Sequence, residues 1–175
     1  MKKQDILEDQ VNTSLLGIGS NLGDRKLNIT KAKLFLHQNN IRIIKSSNFY
    51  ENVSWPNSKF PKYLNIVIEV ETYLNPLSLF KLVKSIEFKL GRKKNLKNYP
   101  RSCDIDIIDF NKKKININKH NIELKIPHPR AHKRIFVLLP LHEISKEWVH
   151  PKFKQNVSFL LNKINCNDLR AIKLI

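Results

Sequence analysis

The chain has 175 residues, of which 32 are lysine or arginine and 15 are aspartate or glutamate, so its formal net charge is +17. A hydrophobic fraction of 41% with a charged fraction of 27% is typical of a globular domain, and four glycines exclude the fibrous and glycine-rich classes. The positive charge suits nucleic acid, an acidic membrane or small phosphates, and equally a solvated lysine-rich surface, and composition does not choose among these.

No apolar run approaches the ~18 residues that a membrane span requires, so we expect no membrane association. The basic start at Met1 is not followed by the apolar segment of a secretory signal. Cys103 and Cys166 supply neither a disulfide framework nor a pair of metal ligands. We therefore expect a cytoplasmic protein with a loose N-terminal extension at residues 1–12 and a single domain at residues 13–175.

Four segments have the short apolar or alternating patterns of strands, and two helices separate them. The strands are predicted at residues 14–19, 41–50, 63–72 and 104–110. The first helix follows Asp24, whose carboxylate suits an N-cap. The second follows Asn75, with Pro76 at its first position and Gly91 at its end.

The pattern after residue 110 is less regular. Residues 112–114, three lysines, predict the turn of a hairpin whose return strand is 115–117. Short helices are predicted within 130–164 and a final strand within 169–175. The order β-α-β-β-α-β predicts an α+β protein with a ferredoxin-like core, an antiparallel sheet with two helices on one face, plus C-terminal additions.

Residues 17–23 contain three glycines and resemble a phosphate-binding loop only superficially. No Gly-Lys-Ser or Gly-Lys-Thr follows, and the third glycine is displaced from the dinucleotide-binding fingerprint. A tight turn between a strand and a helix is the better interpretation.

Asp104 and Asp106 occupy alternate positions of a predicted strand and therefore share a face, about 6.6 Å apart along the chain. Such carboxylates repel each other unless a cation lies between them, and oxygen ligands of this kind suit Mg²⁺. Ile108 and Phe110 have the same parity, which predicts a partly buried face and disfavours the alternative of a solvated strand edge.

Cationic side chains stand beside the acid pair. Arg92 and Arg101 border a loop that also contains three lysines, and guanidinium groups suit phosphate oxygens and stabilise charge that moves in phosphoryl transfer. Acids for Mg²⁺ next to arginines for phosphate are what a kinase needs, although a solvated basic loop remains the alternative. His128 lies in a further cluster, where it would contact a nucleotide or serve only the structure.

Several segments together resemble one family. They are Gly19-Ser20-Asn21-Leu22-Gly23-Asp24-Arg25, Tyr63-Leu64-Asn65, Pro100-Arg101-Ser102-Cys103-Asp104-Ile105-Asp106, and Pro127-His128-Pro129-Arg130 with Arg134 and Phe136. In this order they resemble the 6-hydroxymethyl-7,8-dihydropterin pyrophosphokinases of folate biosynthesis. The resemblance extends from about Ser14 to about Ile164. It implies that ATP gives its β,γ-pyrophosphoryl group to the pterin hydroxymethyl oxygen and that AMP is released.

The resemblance also implies a role for each matching residue. Two Mg²⁺ ions would bind Asp104 and Asp106, and these acids would form the catalytic set with Arg92 and Arg101. The residues near ATP would be Glu87, Arg92, Arg101, Ile107, His128 and Arg134. The residues near the pterin would be Tyr63 and Phe136 as an aromatic sandwich, Asn65 as a hydrogen-bonding partner, and Val53 and Trp55. The partners would be ATP and the pterin, without nucleic acid, and the enzyme would act as a monomer.

Two departures affect the loops rather than the acid pair. Asn52-Val53-Ser54 stands where the family often has Thr-x-Pro, and Ser102 follows Arg101 where a threonine is common. The competing hypothesis is a basic ferredoxin-like RNA-binding module, but the aromatic RNA-binding pattern of such sheets is missing from the sequence. An inactive relative is a third hypothesis, disfavoured because both acids and the three arginines are present.

Overall fold

The computed structural model describes residues 10–92, 99–119 and 122–175. The elements of the first half are β1 (Asn12–Ser20), α1 (Arg25–Gln38), β2 (Arg42–Ser46), β3 (Tyr50–Asn52), β4 (Tyr63–Thr72) and α2 (Pro76–Lys89). Those of the second half are β5 (Asp104–Phe110), β6 (Ile115–Lys119), β7 (Ile122–Ile126), a 3-10 turn (Ala131–Lys133), α3 (Ile135–Ile144), α4 (Val157–Asn162), α5 (Cys166–Arg170) and β8 (Ile172–Leu174).

The main sheet has the strand order β5-β1-β4-β3-β8, and β2 also pairs with β4. All of these pairings are antiparallel, and the α+β ferredoxin-like core is confirmed. The segment predicted as one strand at 41–50 is instead β2 and β3. The Ser47 hydroxyl, between β2 and β3, accepts a hydrogen bond from the Val67 N–H at 3.0 Å. A side chain thus serves as the acceptor for a backbone N–H of β4, where a regular strand would offer a carbonyl.

Helices cover both faces of the sheet. The helices α1 and α2 pack on one face, where Leu16 and Ile105 meet Leu36 and Val83. Both helices begin as predicted, since Asp24 accepts from the Leu27 N–H at 3.0 Å and Asn75 from the Ser78 N–H at 2.9 Å.

The C-terminal additions form a third layer on the opposite face. There α3 and α4 pack against the sheet through a cluster that includes Leu138, Leu160 and Trp148. No helix in the described ranges is long and apolar enough to cross a membrane.

The predicted hairpin after β5 is wrong. β6 pairs with β7 in a separate two-stranded sheet rather than with β5. Asn111 and Lys112 adopt positive φ angles of 51° and 53°, and the Lys112 N–H donates to the Asp109 carboxylate at 2.8 Å. This tight turn directs the chain away from the edge of the main sheet.

The chain ends agree with the predictions in part. β8 lies within the predicted final strand at 169–175, although residues up to Arg170 belong to α5. Of the predicted extension at 1–12, residues 1–9 lie outside the described ranges, and Asn12 is the first residue of β1.

The pairing of β1 with β5 contains an irregularity that places the acids of β5. Leu16 pairs with Ile107 and Leu15 with Asp109, so Ile108 is passed over. Phe110 consequently packs on the α1–α2 face, contrary to its predicted parity with the acid pair. Ile108 does pack on the α3 face, in the cluster that contains Trp148.

Candidate active site

The start of β5 carries the acid pair, and three arginines reach it from different parts of the chain. Arg92 follows α2, Arg101 precedes β5, and Arg134 lies between the 3-10 turn and α3. The Asp104 and Asp106 side chains are 29% and 31% exposed, so they are neither solvated surface groups nor core groups. The fold thus collects the charges that the sequence spreads over more than 40 residues, from 92 to 134.

Asp104 is held by two of the arginines. Its Oδ1 lies 2.5 Å from Arg92 Nη1 and 3.5 Å from Arg101 Nη1. Burial alone would raise the pKa of Asp104, but the two guanidinium groups outweigh it and hold this pKa below its usual range. The carboxylate is therefore ionised at neutral pH.

Asp106 faces the third arginine and a histidine. Its Oδ2 lies 3.0 Å from Arg134 Nη1 and 3.6 Å from His128 Nε2. Burial, assisted by Arg134 and Arg130, lowers the pKa of His128, although Asp106 opposes that shift. Because His128 Nδ1 accepts the Arg130 N–H at 3.2 Å, the neutral ring carries its proton on Nε2, toward Asp106.

Glu87 lies behind Arg92, with its side chain 2% exposed. Its Oε1 accepts from the Ile105 N–H at 2.6 Å and from Lys84 Nζ at 2.8 Å, and its Oε2 pairs with Arg92 at 2.5 Å. Burial raises the pKa of Glu87, while Lys84 and Arg92 oppose this. Glu87 thus fixes Arg92 and joins α2 to β5.

A cavity of about 360 Å³ runs along β5 beside Asp106. Ile107 and His128, both predicted near ATP, line this cavity together with Asp106, Lys84 and Phe80. Glu87 is not among the lining residues and reaches the cavity only through its partner Lys84.

Two of the residues predicted to bind the pterin, Tyr63 and Asn65, lie on β4, which β1 separates from the acids of β5. Asn65 of β4 pairs with Gly19 of β1, and Gly19 pairs with Asp104 of β5. The three residues form one row across the sheet, and because strands are spaced about 4.8 Å apart, Asn65 and Asp104 lie about 10 Å from each other. Gly19 is buried and has no side chain, so the row carries no side chain between the amide and the carboxylate, and we name this gap the trough.

Close packing fixes the Asn65 end of this trough. The Asn65 amide donates to Asn52 Oδ1 at 2.5 Å, and a Cβ at Gly19 would come within 2.7 Å of Asn65 Oδ1. Tyr63 is near enough for the same Cβ to contact its ring at 3.5 Å. Burial raises the pKa of the Tyr63 hydroxyl.

The other three residues predicted to bind the pterin lie outside β4. Phe136 of α3 packs partly into the core under the Arg134 guanidinium, 5.4 Å from its ring centroid. Val53 and Trp55 lie on the loop after β3, with exposures of 38% and 73%. The three lysines of the predicted basic loop, Lys93, Lys94 and Lys97, lie outside the described residues.

Two residues of the site, Gly19 and Asn21, belong to a segment that resembles the family, but sequence reasoning assigned neither of them a role. Gly19 is required by the close approach of Asn65, and Asn21 contacts segments on both sides of the site. The signal was present in a turn that holds three glycines and Asn21, but the residues that Gly19 and Asn21 contact are far away in the sequence.

The acid pair fits a divalent cation only with help from other ligands. Asp104 engages its arginines through Oδ1 and Asp106 through Oδ2, which leaves the second oxygen of each carboxylate for a cation. Within the described ranges no three His, Cys, Asp or Glu side chains gather as a metal cluster. Mg²⁺ suits such a site because it keeps several waters and takes phosphate oxygens as ligands.

An antiparallel α+β fold with an acid pair among three arginines indicates an enzyme that transfers phosphate groups. The family model described as 7,8-dihydro-6-hydroxymethylpterin-pyrophosphokinase matches residues 15–146, and the chain belongs to this family. The recognition made from the sequence is confirmed, and nothing in the comparisons favours RNA binding.

Curated relatives agree over most of the chain. The chain is 36% identical over 137 residues to the 2-amino-4-hydroxy-6-hydroxymethyldihydropteridine pyrophosphokinase of Bacillus subtilis, which covers 78% of this chain and 80% of that protein. It is 37% identical over 143 residues to the protein of the same name from Aquifex aeolicus, covering 82% and 86%. It also matches the folic acid synthesis protein fol1 of Pneumocystis carinii at 35% identity over 90% of this chain, but only 21% of that longer protein.

A solved structure confirms the fold. The wild-type HPPK-DHPS of Plasmodium falciparum with pterin and p-hydroxybenzoate superposes with a TM-score of 0.74 at 20% identity. The match covers 97% of this chain and 47% of that one, so the chain spans about half the length of that protein.

Proposed function

We propose that this chain transfers the pyrophosphoryl group of ATP to the hydroxymethyl oxygen of 6-hydroxymethyl-7,8-dihydropterin and releases AMP. The observation that carries the proposal is the row of Asn65, Gly19 and Asp104, which would join a site for a flat ring to a site for phosphate. A hydroxymethyl group on a ring held near Asn65 would extend toward the acid pair. Family membership and the names of the relatives support the same reaction.

The phosphate chain would occupy the space among the arginines. Arg92, Arg101 and Arg134 are paired with the two acids in the structure, and guanidinium forks of this kind bind phosphate oxygens well. Asp104 and Asp106 would hold two Mg²⁺ ions, which neutralise charge on the phosphate oxygens when bound. The arginines would then stabilise the charge that develops as the bond between the α- and β-phosphates breaks.

The adenosine would occupy the cavity along β5, against Ile107 and His128. The neutral His128 donates through Nε2 and would contact a phosphate or ribose oxygen when Asp106 turns to the metal. Glu87 would act through Arg92 rather than by touching the nucleotide, because it is buried behind that side chain.

The pterin would lie in the trough over Gly19. Tyr63 and Phe136 would cover its faces and the Asn65 amide would read its edge, since flat heteroaromatic rings favour stacking and directional hydrogen bonds. Val53 and Trp55 would approach from the exposed loop after β3. Exclusion of water by this cover would favour attack by the pterin hydroxyl over hydrolysis.

Product analysis tests the proposal directly. The protein is incubated with ATP, Mg²⁺ and 6-hydroxymethyl-7,8-dihydropterin, and nucleotides and pterins are separated. AMP and pterin diphosphate should accumulate in equal amounts, and neither should form when the pterin is omitted. ADP with pterin monophosphate would overturn the reaction proposed here.

The proposal includes action as a monomer in the cytoplasm. Two cysteines without a disulfide, one of them buried, agree with a reducing compartment. Light scattering of the active protein at assay concentration tests the monomer, and a dimer mass would contradict it.

A further inference from the structure

A second cavity, of about 310 Å³, shares Lys125, His128 and Pro129 with the cavity along β5. From there it extends toward the segment between α3 and α4 rather than toward the acid pair. Ile126 and Pro127 are buried and give it an apolar wall. A cavity of this size can hold a small organic molecule, and neither the acid pair nor the three arginines of the candidate active site line it.

Three lysines line the second cavity, and they come from separate parts of the chain. Lys114 precedes β6, Lys125 belongs to β7, and Lys152 lies between α3 and α4. Lys125 pairs with Glu123, whereas Lys114 and Lys152 have no acidic partner within 4.0 Å in the part of the chain that the structure describes. Because the described residues that line the second cavity include no acid, it presents a positive surface to a ligand.

His150 adds a buried hydrogen-bond donor to the second cavity, which it lines while being only 1% exposed. Burial lowers the pKa of His150 to about 4, so the ring is neutral at pH 7. Its Nδ1 accepts from the Lys152 N–H at 3.1 Å and the Phe153 N–H at 3.3 Å, which leaves the ring proton on Nε2. Among the described residues this Nε2–H has no acceptor, an unfavourable state that an anion in the second cavity would relieve.

Aromatic contacts hold the donor and one of the cations in place. The His150 ring centroid lies 4.7 Å from that of Phe153 and 5.7 Å from that of His132. Lys152 Nζ lies 5.5 Å from the Phe153 ring centroid, close enough for a cation–π contact. Phe153 also lines the second cavity, so an apolar surface lies next to both polar groups. A ligand that suits this arrangement has an anionic group and an apolar body.

We propose that the second cavity binds a small organic phosphate, with its phosphate group at His150 Nε2–H and the lysines and its apolar body against Phe153. A phosphate monoester carries about 1.5 to 2 negative charges at pH 7, which matches three ammonium groups better than the single charge of a carboxylate does. Lysine is a common phosphate ligand that acts as a point charge. This inference goes beyond the proposed function, because no residue assigned to Mg²⁺ or to the pterin lines the second cavity.

The test uses phenyl phosphate as the probe. Its affinity is measured by calorimetry in the presence of Mg²⁺ and a non-hydrolysable ATP analogue, which occupy the candidate active site. The wild type should bind phenyl phosphate, and it should bind benzoate and the neutral benzyl alcohol about tenfold more weakly or worse. Lys152→Gln keeps the backbone N–H that His150 accepts and removes one charge, so the affinity for phenyl phosphate should fall about fivefold.

Lys154→Gln is the matched control. Lys154 is exposed and lies two positions from Lys152, but it does not line the second cavity. The control removes the same charge from the same segment and should keep the wild-type affinity. A wild type that does not bind phenyl phosphate, equal affinities for phenyl phosphate and benzoate, or equal affinities of Lys152→Gln and Lys154→Gln would overturn the proposal.

Nuclear magnetic resonance of the wild type with ¹⁵N-labelled histidine tests the buried donor without replacing it. Phenyl phosphate should shift the Nε2 signal of His150 and leave that of His37, at the exposed end of α1, unchanged. A His150 signal that stays in place at saturation would overturn the proposal, because the exposed lysines alone would then hold the probe. Neither readout requires AMP formation, so the outcome is independent of the product analysis that tests the proposed function.

Discussion

The two ends of the β1–β5 pairing carry the same residue type in different surroundings. At one end Gly19 and Gly17 pair with Asp104 and Asp106, whose carboxylates are partly exposed and face arginines. At the other end Leu15 pairs with Asp109, which is 3% exposed.

The neighbours of Asp109 are neutral donors. Its carboxylate accepts from Trp148 Nε1 at 3.3 Å and from the Lys112 N–H at 2.8 Å, and burial raises its pKa. A buried carboxylate whose donors are neutral contributes to the stability of the fold. Partly exposed carboxylates beside arginines can instead bind a metal and phosphate. Substitutions should therefore change chemistry at the glycine end and stability at the leucine end.

The largest effect should come from Asp106→Asn compared with Asp109→Asn. The first variant removes a charged metal ligand, and its turnover should fall by about 1000-fold or more. Its melting temperature without metal should change little, because the lost pairing with Arg134 is offset by relief of repulsion from Asp104, on the order of 1 kcal/mol.

The same substitution at the other end, Asp109→Asn, is the control, because the amide oxygen of the new side chain would still accept from Trp148. We expect that variant to keep turnover within about threefold. AMP release at saturating ATP and pterin measures both. Near-normal turnover of Asp106→Asn would return Asp106 to a structural role and abolish the contrast between the two ends.

The next effect concerns pH at the leucine end, where Trp148 also packs against His150. Burial, with help from His132, lowers the pKa of His150 to about 4. Its Nδ1 accepts from the Lys152 N–H at 3.1 Å and the Phe153 N–H at 3.3 Å, and protonation would abolish both contacts. The unfolded chain binds the proton first, so the free energy of unfolding should fall as pH drops from about 6.5 to 4.

The contribution of His150 should amount to about 3 kcal/mol at neutral pH, from 1.36 kcal/mol per unit of pKa. Denaturant unfolding at several pH values measures it, and His150→Gln should give a flatter profile. His37→Gln, at the exposed end of α1, should follow the wild-type profile. If the free energy of unfolding depended on pH in the same way for the wild type and His150→Gln, the fold would not disfavour the protonated form of His150.

Local features of the fold and of the glycine end could be predicted from the sequence. The caps at Asp24 and Asn75 depend on residues three positions away, and the shared face of Asp104 and Asp106 depends only on strand periodicity. These predictions succeeded because each concerns a single element and its immediate neighbours.

Features that depend on partners distant in sequence could not be predicted in the same way. The irregular pairing at Leu15 and Leu16, which turns Phe110 to the other face, is set by how two strands meet. The contact of Asn21 with Arg101 joins residues that are 80 positions apart. The three lysines predicted a turn after β5, but they did not predict that β6 would pair with β7 instead of β5.

A smaller effect should follow Asp109→Ala. This variant removes the acceptor of two buried donors, the Trp148 Nε1–H and the Lys112 N–H, and should destabilise the fold by about 2 kcal/mol. Urea unfolding measures the change, and Asp109→Asn should cost clearly less because it keeps an acceptor oxygen. Turnover at 25 °C should remain within a fewfold of the wild type, and a loss as large as that of Asp106→Asn would erase the distinction between the two ends.

The smallest effect should be Gly19→Ala, which tests the trough at the glycine end. The new methyl group would lie 2.7 Å from Asn65 Oδ1, and Asn65 would have to leave its place beside Asn52. Pterin affinity should therefore fall about tenfold, or 1.4 kcal/mol, with little change in ATP affinity.

Gly17→Ala is the matched control, because its methyl group would meet only the flexible tip of Ile108, at 3.3 Å. That variant should keep pterin affinity even if it melts a few degrees earlier. Calorimetric titration of both variants with pterin, in the presence of Mg²⁺ and an ATP analogue, decides the point. Equal pterin affinities for Gly19→Ala and Gly17→Ala would mean that the ring does not lie over Gly19, and the pterin would then have to bind elsewhere along the acid pair.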